Sequence, residues 1–348
     1  MPPIKVGIVG ATGYTGIELL RILIRHPSAE IVLATSEKFA GKKIADLFPF
    51  FQGKIDLTLE PLNDEKVAKR CTTVFSCLPH KEAMAHVPLW VKKGTKVVDL
   101  SADFRLQSAK VYEGWYEKHK AADLLKETVY GLPELHREEI KKSFLIGNPG
   151  CYPTGAILGL APLLKAKAIV AERIVIDAKS GITGAGRSVV LESLFSEVNE
   201  SMHAYKVGGK HRHIPEIEQE LSLLAGQKVV VTFTPHLVPM DRGILSTIYA
   251  PAVRKVDTKA ILKILADFYQ KEPFVQVLPE GVLPKTKEVR GTNNCLIGAV
   301  VDPRTETIIV VTAIDNLMKG ASSQAVQNMN LMYGLDETTG LKQSPLVP

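Results

Sequence analysis

The chain has 348 residues, 45% hydrophobic and 23% charged, which is material for a sizeable core and long enough to favour two domains over one. Its 43 basic and 37 acidic residues leave a formal charge of +6, a mild excess that suits a small anionic ligand, while no Lys/Arg-dense block is long enough for a nucleic-acid arm. Cys71, Cys77, Cys151 and Cys295 form no C-x-x-C and have no histidine at ligand spacing, so neither a metal site nor a disulfide framework is expected. The N-terminus runs directly into a strand without a signal peptide, and no apolar run approaches the roughly 20 residues of a membrane span; a cytoplasmic protein with no membrane partner is expected.

In chain order, residues 5–9 are a short β-branched run, followed by a glycine-rich turn and apolar residues at helical spacing over 17–25. Strands are expected at 31–34, 73–77 and 96–100, with a helix over 81–92. Such alternation predicts a parallel sheet with helices on both faces. The second half has a different texture: longer strands at 173–178, 228–235, 244–250 and 307–313 predict a mixed or antiparallel sheet, and a last helical stretch runs over 322–333. The composition shift near Asn148 marks the domain boundary.

Residues 7–16, GIVGATGYTG, form a G-x-x-G-x-x-G turn between a strand and a helix. Glycine lets the backbone approach a pyrophosphate, and the helix start supplies amides and partial positive charge. Gly10, Ala11, Thr12, Gly13, Tyr14, Thr15 and Gly16 are therefore the expected dinucleotide cradle. An enzyme using NAD places an acid at the end of the second strand to hold the ribose hydroxyl. Here Ser36 stands there, with Lys38, Lys42 and Lys43 following and Glu37 as the dissenting acid; a hydroxyl among ammonium groups predicts the 2′-phosphate of NADP.

The segment GNPGCYPT places Cys151 at or just before the start of an apolar helix over 156–164. A helix N-terminus favours the thiolate, whereas Cys71, Cys77 and Cys295 read as inert small hydrophobes. A thiolate needs an acid/base partner. The loop GGKHRHIPEI offers His211 and His213 beside a glycine pair, and the residues alone do not choose between them. The loops SGITGAGR, over 180–187, and PMDRG, over 239–243, look built for anions, with Arg187 and Arg242 suited to bidentate phosphate or carboxylate recognition. DLSADFR, over 99–105, lies at the carboxyl edge of a parallel strand, where ligands bind.

Together with YGLPEL, FTPHLVPMDRGI and DNLMKGASSQAVQNMN, these motifs resemble the N-acetyl-gamma-glutamyl-phosphate reductase family, relatives of the aspartate-semialdehyde dehydrogenases, in order and across nearly the whole chain. The resemblance implies an α/β fold: a Rossmann domain over 1–148, completed by a C-terminal helix over 319–348, and an α/β substrate and oligomerisation domain over 149–318. It implies NADP(H), an acyl phosphate substrate with inorganic phosphate as co-product, and a homodimer or homotetramer. By the same resemblance Cys151 falls on the catalytic cysteine and His211 on the acid/base. Asn148, Arg105, Ser180, Gly181, Arg187, His213, Glu216 and Arg242 are expected around the substrate, and Cys77, Leu78, Pro79, Gly184, Gly186 and Asn316 around the cofactor. The alternatives are the same reaction on a carrier-protein-linked aminoadipyl or glutamyl phosphate, a glyceraldehyde-phosphate- or aspartate-semialdehyde-type dehydrogenase that would share the chemistry but not the HRHIPEI segment, a Cys–His hydrolase, and a non-catalytic dinucleotide sensor.

Overall fold

The computed structural model describes residues 2–187 and 191–347. The chain divides into two compact units: Met1–Pro149 with Ala321–Lys342, and Gly150–Gly320 with Gln343–Pro348.

The first unit holds strands β1 (Ile4–Val9), β2 (Ala29–Ala34), β3 (Thr73–Ser76), β4 (Lys96–Asp99), β5 (Val129–Tyr130) and β6 (Leu145–Gly147). They pair in the order β2-β1-β3-β4-β6-β5, all parallel. β1 and β3 are buried almost throughout, which their near-continuous Val, Ile and Phe content dictates. Helix Tyr14–Leu23 buries Leu19, Leu20, Ile22 and Leu23. The chain leaves β1 towards β2 on one side and returns to β3 on the other, so the carboxyl end of β1 is a topological switch point, where open α/β sheets hold their ligands. The C-terminal helix expected over 319–348 covers only Ser323–Met332. Met318–Ser322 is a single wide turn before it, and Gly334, at φ +66°, ends the run. Residues 343–348 join the second unit, where the Leu346 amide donates to the Arg290 carbonyl at 2.9 Å.

The second unit holds β7 (Ile174–Gly181), β8 (His203–Ala204), β9 (Val231–Val238), β10 (Ile244–Pro251), β11 (Val275–Val277), β12 (Cys295–Asp302) and β13 (Thr307–Ile314). Their order is β11-β12-β13-β10-β7-β9-β8, parallel at β7/β9 and β11/β12 and antiparallel elsewhere. A parallel sheet in one unit and a mixed sheet in the other make the α/β class expected. β12, CLIGAVVD, escapes a reading based on alternation because five consecutive residues, Cys295 to Ala299, are buried and no solvent face shows. Helix Thr258–Tyr269 lies outside the expected elements, although Ile261, Leu265 and Tyr269 recur at helical spacing on its buried side and the Asp257 side chain accepts from the Ala260 amide at its start.

The element that matters most is helix Cys151–Lys165. Every residue from Tyr152 to Leu164 is buried, and it packs on β10, β13 and helix Ile214–Ala225. Gly155 and Gly159 allow the close approach: a Cβ at Gly159 would stand 2.9 Å from Thr312 Cγ2 and 3.0 Å from Ile248 Cδ1. The first residue of a rigid, core-anchored helix is thus the half-exposed Cys151.

Candidate active site

In the first unit, β1 gives way to Gly10 at φ +85°, a backbone conformation that L side chains avoid. A Cβ there would lie 2.7 Å from the Cys77 carbonyl oxygen, and one at Gly16 would lie 2.6 Å from the Gly10 carbonyl oxygen. These two glycines close the turn against β3 and seat the helix on it. The helix start at Gly13 has no side-chain cap and no acid in its first turn, so its orphan amides are left for an anion. A Cβ at Gly13 would meet nothing nearer than the Gly10 oxygen at 3.7 Å. The cradle fits a dinucleotide pyrophosphate.

Thr35 ties the turn to β2: its hydroxyl accepts from the Gly10 amide at 3.2 Å and its carbonyl from the Ala11 amide at 2.9 Å. The Thr12 and Ser36 hydroxyls meet at 3.0 Å. Glu37 is directed elsewhere, its carboxylate accepting from the Leu62 amide at 2.8 Å. The Lys38 ammonium lies over the Phe39 ring, and Lys43 pairs with Asp56 at 2.9 Å. Burial pushes the Cys77 thiol up to about 12, so its part is the carbonyl behind Gly10; Leu78 is half-buried and Pro79 exposed beyond it.

Arg105 and Asn148 lie in the same unit and are engaged with the fold. Arg105 donates to the Asn148 carbonyl at 2.7 Å and the Leu100 carbonyl at 2.8 Å. The Asn148 side chain donates to the Ala321 carbonyl at 3.1 Å and accepts from Asn328 at 3.1 Å. Between them runs the DLSADFR network, in which the Ser101 hydroxyl donates to Asp99 at 2.6 Å and Asp103 accepts from the Tyr112 hydroxyl at 2.7 Å. Burial, with Asp103 beside it, raises the Asp99 carboxyl to about 7.

In the second unit, Cys151 is the first residue of its helix, and Gly150, the residue before it, has no side-chain cap. The Gly150 amide instead donates to the carboxylate of Glu216 at 2.7 Å. Glu216 is buried in the first turn of helix Ile214–Ala225, so one carboxylate fixes the start of the cysteine helix against a second helix. From another side a Cβ at Gly320 would stand 2.8 Å from Cys151 Cβ; glycine there leaves the cysteine its place.

The two histidines gather over Tyr152, with ring centroids at 5.4 Å for His211 and 5.9 Å for His213, and lie 4.9 Å from each other. Phe233 backs His211 at 5.2 Å. His211 is buried and His213 half-buried. Burial, then the charges of Lys206 and Arg212, pull the His211 ring down to about 3, so it rests neutral. Its Nδ1 accepts from the His213 amide at 3.1 Å and its Nε2 faces the Tyr205 hydroxyl at 3.3 Å. Tyr205 in turn donates to the Tyr152 hydroxyl at 3.2 Å. The charge of Cys151 acts on both hydroxyls, although burial is the main reason each is held protonated.

The two loops read as anion sites are one structure. Ile182 and Thr183 amides donate to the Met240 and Asp241 carbonyls at 3.0 and 3.3 Å, and a Cβ at Gly181 would lie 2.6 Å from the Asp241 oxygen. Asn316 staples them: its Oδ1 accepts from the Gly243 amide at 2.8 Å and its Nδ2 donates to the Thr183 hydroxyl at 2.9 Å. Ser180 is buried, its hydroxyl donating to the Gly181 carbonyl at 2.9 Å. Arg242 faces the buried Asp315 at 3.6 Å. Gly184, Gly186 and Arg187 stand exposed at the loop's far end. The structure therefore gathers Cys151, His211, His213 and Glu216 together. It shows protein partners for Asn316, Ser180 and Glu216 where substrate or cofactor contacts were expected. Sequence reading missed Tyr152, Tyr205 and Phe233. Tyr152 adjoins the cysteine and was within reach; nothing local distinguishes the other two.

Residues 5–143 match the semialdehyde dehydrogenase NAD binding domain, and residues 151–316 the semialdehyde dehydrogenase dimerisation domain. Among solved structures the chain is similar to aspartate semialdehyde dehydrogenase II from Vibrio cholerae, with TM-score 0.73, 18% identity and coverage of 95% of this chain and 99% of that one. It is also similar to the aspartate semialdehyde dehydrogenase with NADP from Candida albicans, with TM-score 0.69, 18% identity and coverage of 95% and 98%. These likenesses show the fold. The curated N-acetyl-gamma-glutamyl-phosphate reductases of Geotalea daltonii and Citrifermentans bemidjiense are 56% and 57% identical, each over 99% of this chain and 100% of the relative. The corresponding enzyme of Pelotomaculum thermopropionicum is 53% identical over 99% of both. At such identity along the whole length, the chain belongs to the N-acetyl-gamma-glutamyl-phosphate reductase family.

Proposed function

We propose that this chain reduces N-acetyl-gamma-glutamyl phosphate to N-acetylglutamate semialdehyde with NADPH, releasing phosphate, as a step of arginine biosynthesis in the cytoplasm. The observation that carries the reading is Cys151 as first residue of an uncapped, core-anchored helix whose start is pinned by Glu216. In that position the helix amides favour the thiolate and afterwards the oxyanion formed when Sγ attacks the acyl carbon. Phosphate leaves with its electron pair and a Cys151 thioester remains. NADPH, when held by the glycine turn, would supply the hydride equivalent that reduces this thioester. Collapse of the resulting oxyanion re-forms the carbonyl as aldehyde and returns the electron pair to Sγ, with His211 as the group that hydrogen-bonds the reacting oxygen and no proton passed to it. Phosphate is a good leaving group already, so the residues act mainly through placement and charge.

Glycines 10, 13 and 16 would hold the cofactor pyrophosphate, with Ser36 and Lys38 on the 2′-phosphate side. Asn148, Arg105, Ser180, Gly181, Arg187, His213, Glu216 and Arg242 are proposed for the substrate side. Asn148, Arg105, Ser180 and Glu216 would act largely by holding the walls, since their polar atoms already bond the fold. The second unit's mixed sheet is proposed to build a homodimer, with a tetramer as its extension. Among the described residues no helix is long and apolar enough to cross a membrane.

The decisive assay is phosphate-dependent reduction of NADP by N-acetylglutamate semialdehyde, run beside the carrier-linked aminoadipate semialdehyde and with NAD in parallel. Turnover with the acetylated amino acid and NADP is expected. Turnover confined to the carrier-linked substrate, or a preference for NAD, would overturn the corresponding part.

A further inference from the structure

We propose that Tyr205 is a positioning residue that holds His211 as a neutral imidazole with its proton on Nε2, so that His211 works as a hydrogen-bond donor and not as an imidazolium. The inference rests on the reading of Cys151 and His211 as the reacting pair. It begins with a donor that cannot be reversed: the His213 backbone amide gives its hydrogen to His211 Nδ1 at 3.1 Å. A ring nitrogen that accepts carries no proton, so the neutral ring bears its proton on Nε2. That nitrogen faces the Tyr205 hydroxyl at 3.3 Å, and the remaining partners continue in the same direction. Tyr205 donates to Tyr152 at 3.2 Å, and Tyr152 donates to the His236 carbonyl at 3.3 Å. The chain of donors ends on a carbonyl oxygen, which can only accept, and so agrees with the polarity that the His213 amide sets at Nδ1.

The surroundings agree with this. Tyr152, Tyr205, His213 and Phe233 rings enclose His211 on four sides. The charges that act on it, Lys206 and Arg212, are both positive and oppose a further positive charge. The Lys206 ammonium is itself pulled down, by burial and by Arg212. The phenols answer to burial and to Cys151, and neither ionises to offset a cation on the ring: Tyr205 is raised to about 12 and Tyr152 further. Shared between the Tyr205 oxygen and the reacting oxygen, this neutral N–H would polarise a developing oxyanion without the desolvation cost of a buried cation. The consequence is that the pH dependence of turnover has no limb from His211 between pH 5 and 8.

The test is nitrogen NMR on the full-length chain labelled at histidine, which reads tautomer and charge without any substrate. A neutral Nε2–H signature for His211, unchanged from pH 5 to 8, is expected; titration within that range, or an Nδ1–H signature, would overturn the proposal. Tyr205→Phe should lower kcat roughly five- to tenfold, the worth of one hydrogen bond, with KM little changed and a detectable shift of the His211 resonances. Tyr152→Phe should do less of both. Unaltered resonances in Tyr205→Phe would remove Tyr205 from the role. If instead His211→Asn keeps full activity, the failure lies with the reacting-pair reading, because the resonances of the wild-type chain stand apart from turnover.

Discussion

The glycine turn of the first unit and the cysteine centre of the second solve the same problem, placing charge at a helix start, by opposite means. The turn draws on backbone alone. Gly10, Gly13 and Gly16 follow one another within seven residues, and what matters is where side chains are missing. The cysteine centre draws on side chains from distant segments: Cys151 and Tyr152, Tyr205 to Glu216, Phe233, and Gly320. The first is fixed by local chemistry; the second exists only once the mixed sheet has assembled. Damage to the two should therefore separate cleanly.

The largest expected effect is on the cysteine side. Cys151→Ser should lower kcat by roughly 10⁴- to 10⁶-fold, the scale of losing a nucleophile, and leave NADPH binding by fluorescence titration intact. A variant that kept near wild-type turnover would end the covalent account. On the glycine side, Gly10→Ala forces a Cβ to within 2.7 Å of the Cys77 oxygen at φ +85°. A loss of about 1–3 kcal/mol is expected from that strain, measured as reduced denaturant midpoint together with weaker NADPH binding. Alkylation of Cys151 by iodoacetamide should continue. If alkylation failed and NADPH still bound, the separation of the two sites would be wrong.

Glu216 gives a sharper version of the same comparison. Glu216→Ala leaves the buried Gly150 amide without its acceptor, at a cost of about 1–3 kcal/mol, and loosens the cysteine it precedes. Glu216→Gln keeps an acceptor oxygen and should recover most of the stability. Equal stability and rate in the two variants would show that the 2.7 Å bond does not place Cys151. The smallest effect belongs to Asp99, whose carboxyl is raised to about 7 by burial and by Asp103. Its unfolded value is about 4, so the folded chain holds a proton more tightly. The stability this contributes is full below about pH 4 and is lost as pH rises through 7. Asp99→Asn should accordingly raise Tm more at pH 8 than at pH 5; a gain that is equal at both would refute the raised carboxyl.

Legibility in the sequence follows the same division. The parallel sheet, the glycine turn and the helix start at Cys151 were readable because their signals are contiguous: β-branched runs, glycine spacing, and Pro149, Gly150 and Pro153 around a cysteine. Strands β5, β6 and β11 are two or three residues long, too short for any period to show. The partners of Asn148, Asn316 and Glu216 were not readable. An amide or a carboxylate near a reactive residue has the same sequence whether it binds a ligand or a backbone amide, and only the tertiary register decides. The glycine-rich anion loops were recognised individually, but their joining across Asn316 depends on β7 and β10 being antiparallel neighbours. His211 likewise presents a residue type whose usual behaviour suggests proton cycling near neutrality. Its burial among four rings, beside Lys206 and Arg212, is a property of the folded centre.

The central claim is a covalent intermediate on Cys151, and it can be trapped. The chain is incubated with N-acetyl-gamma-glutamyl phosphate in the absence of reduced cofactor, quenched in acid, digested and mapped by mass spectrometry. The account predicts an acyl group on the peptide carrying Cys151, lost on adding NADPH and missing from Cys151→Ser. Phosphate release with no acyl group on that peptide, or an acyl group on another residue with turnover surviving Cys151→Ser, would contradict it.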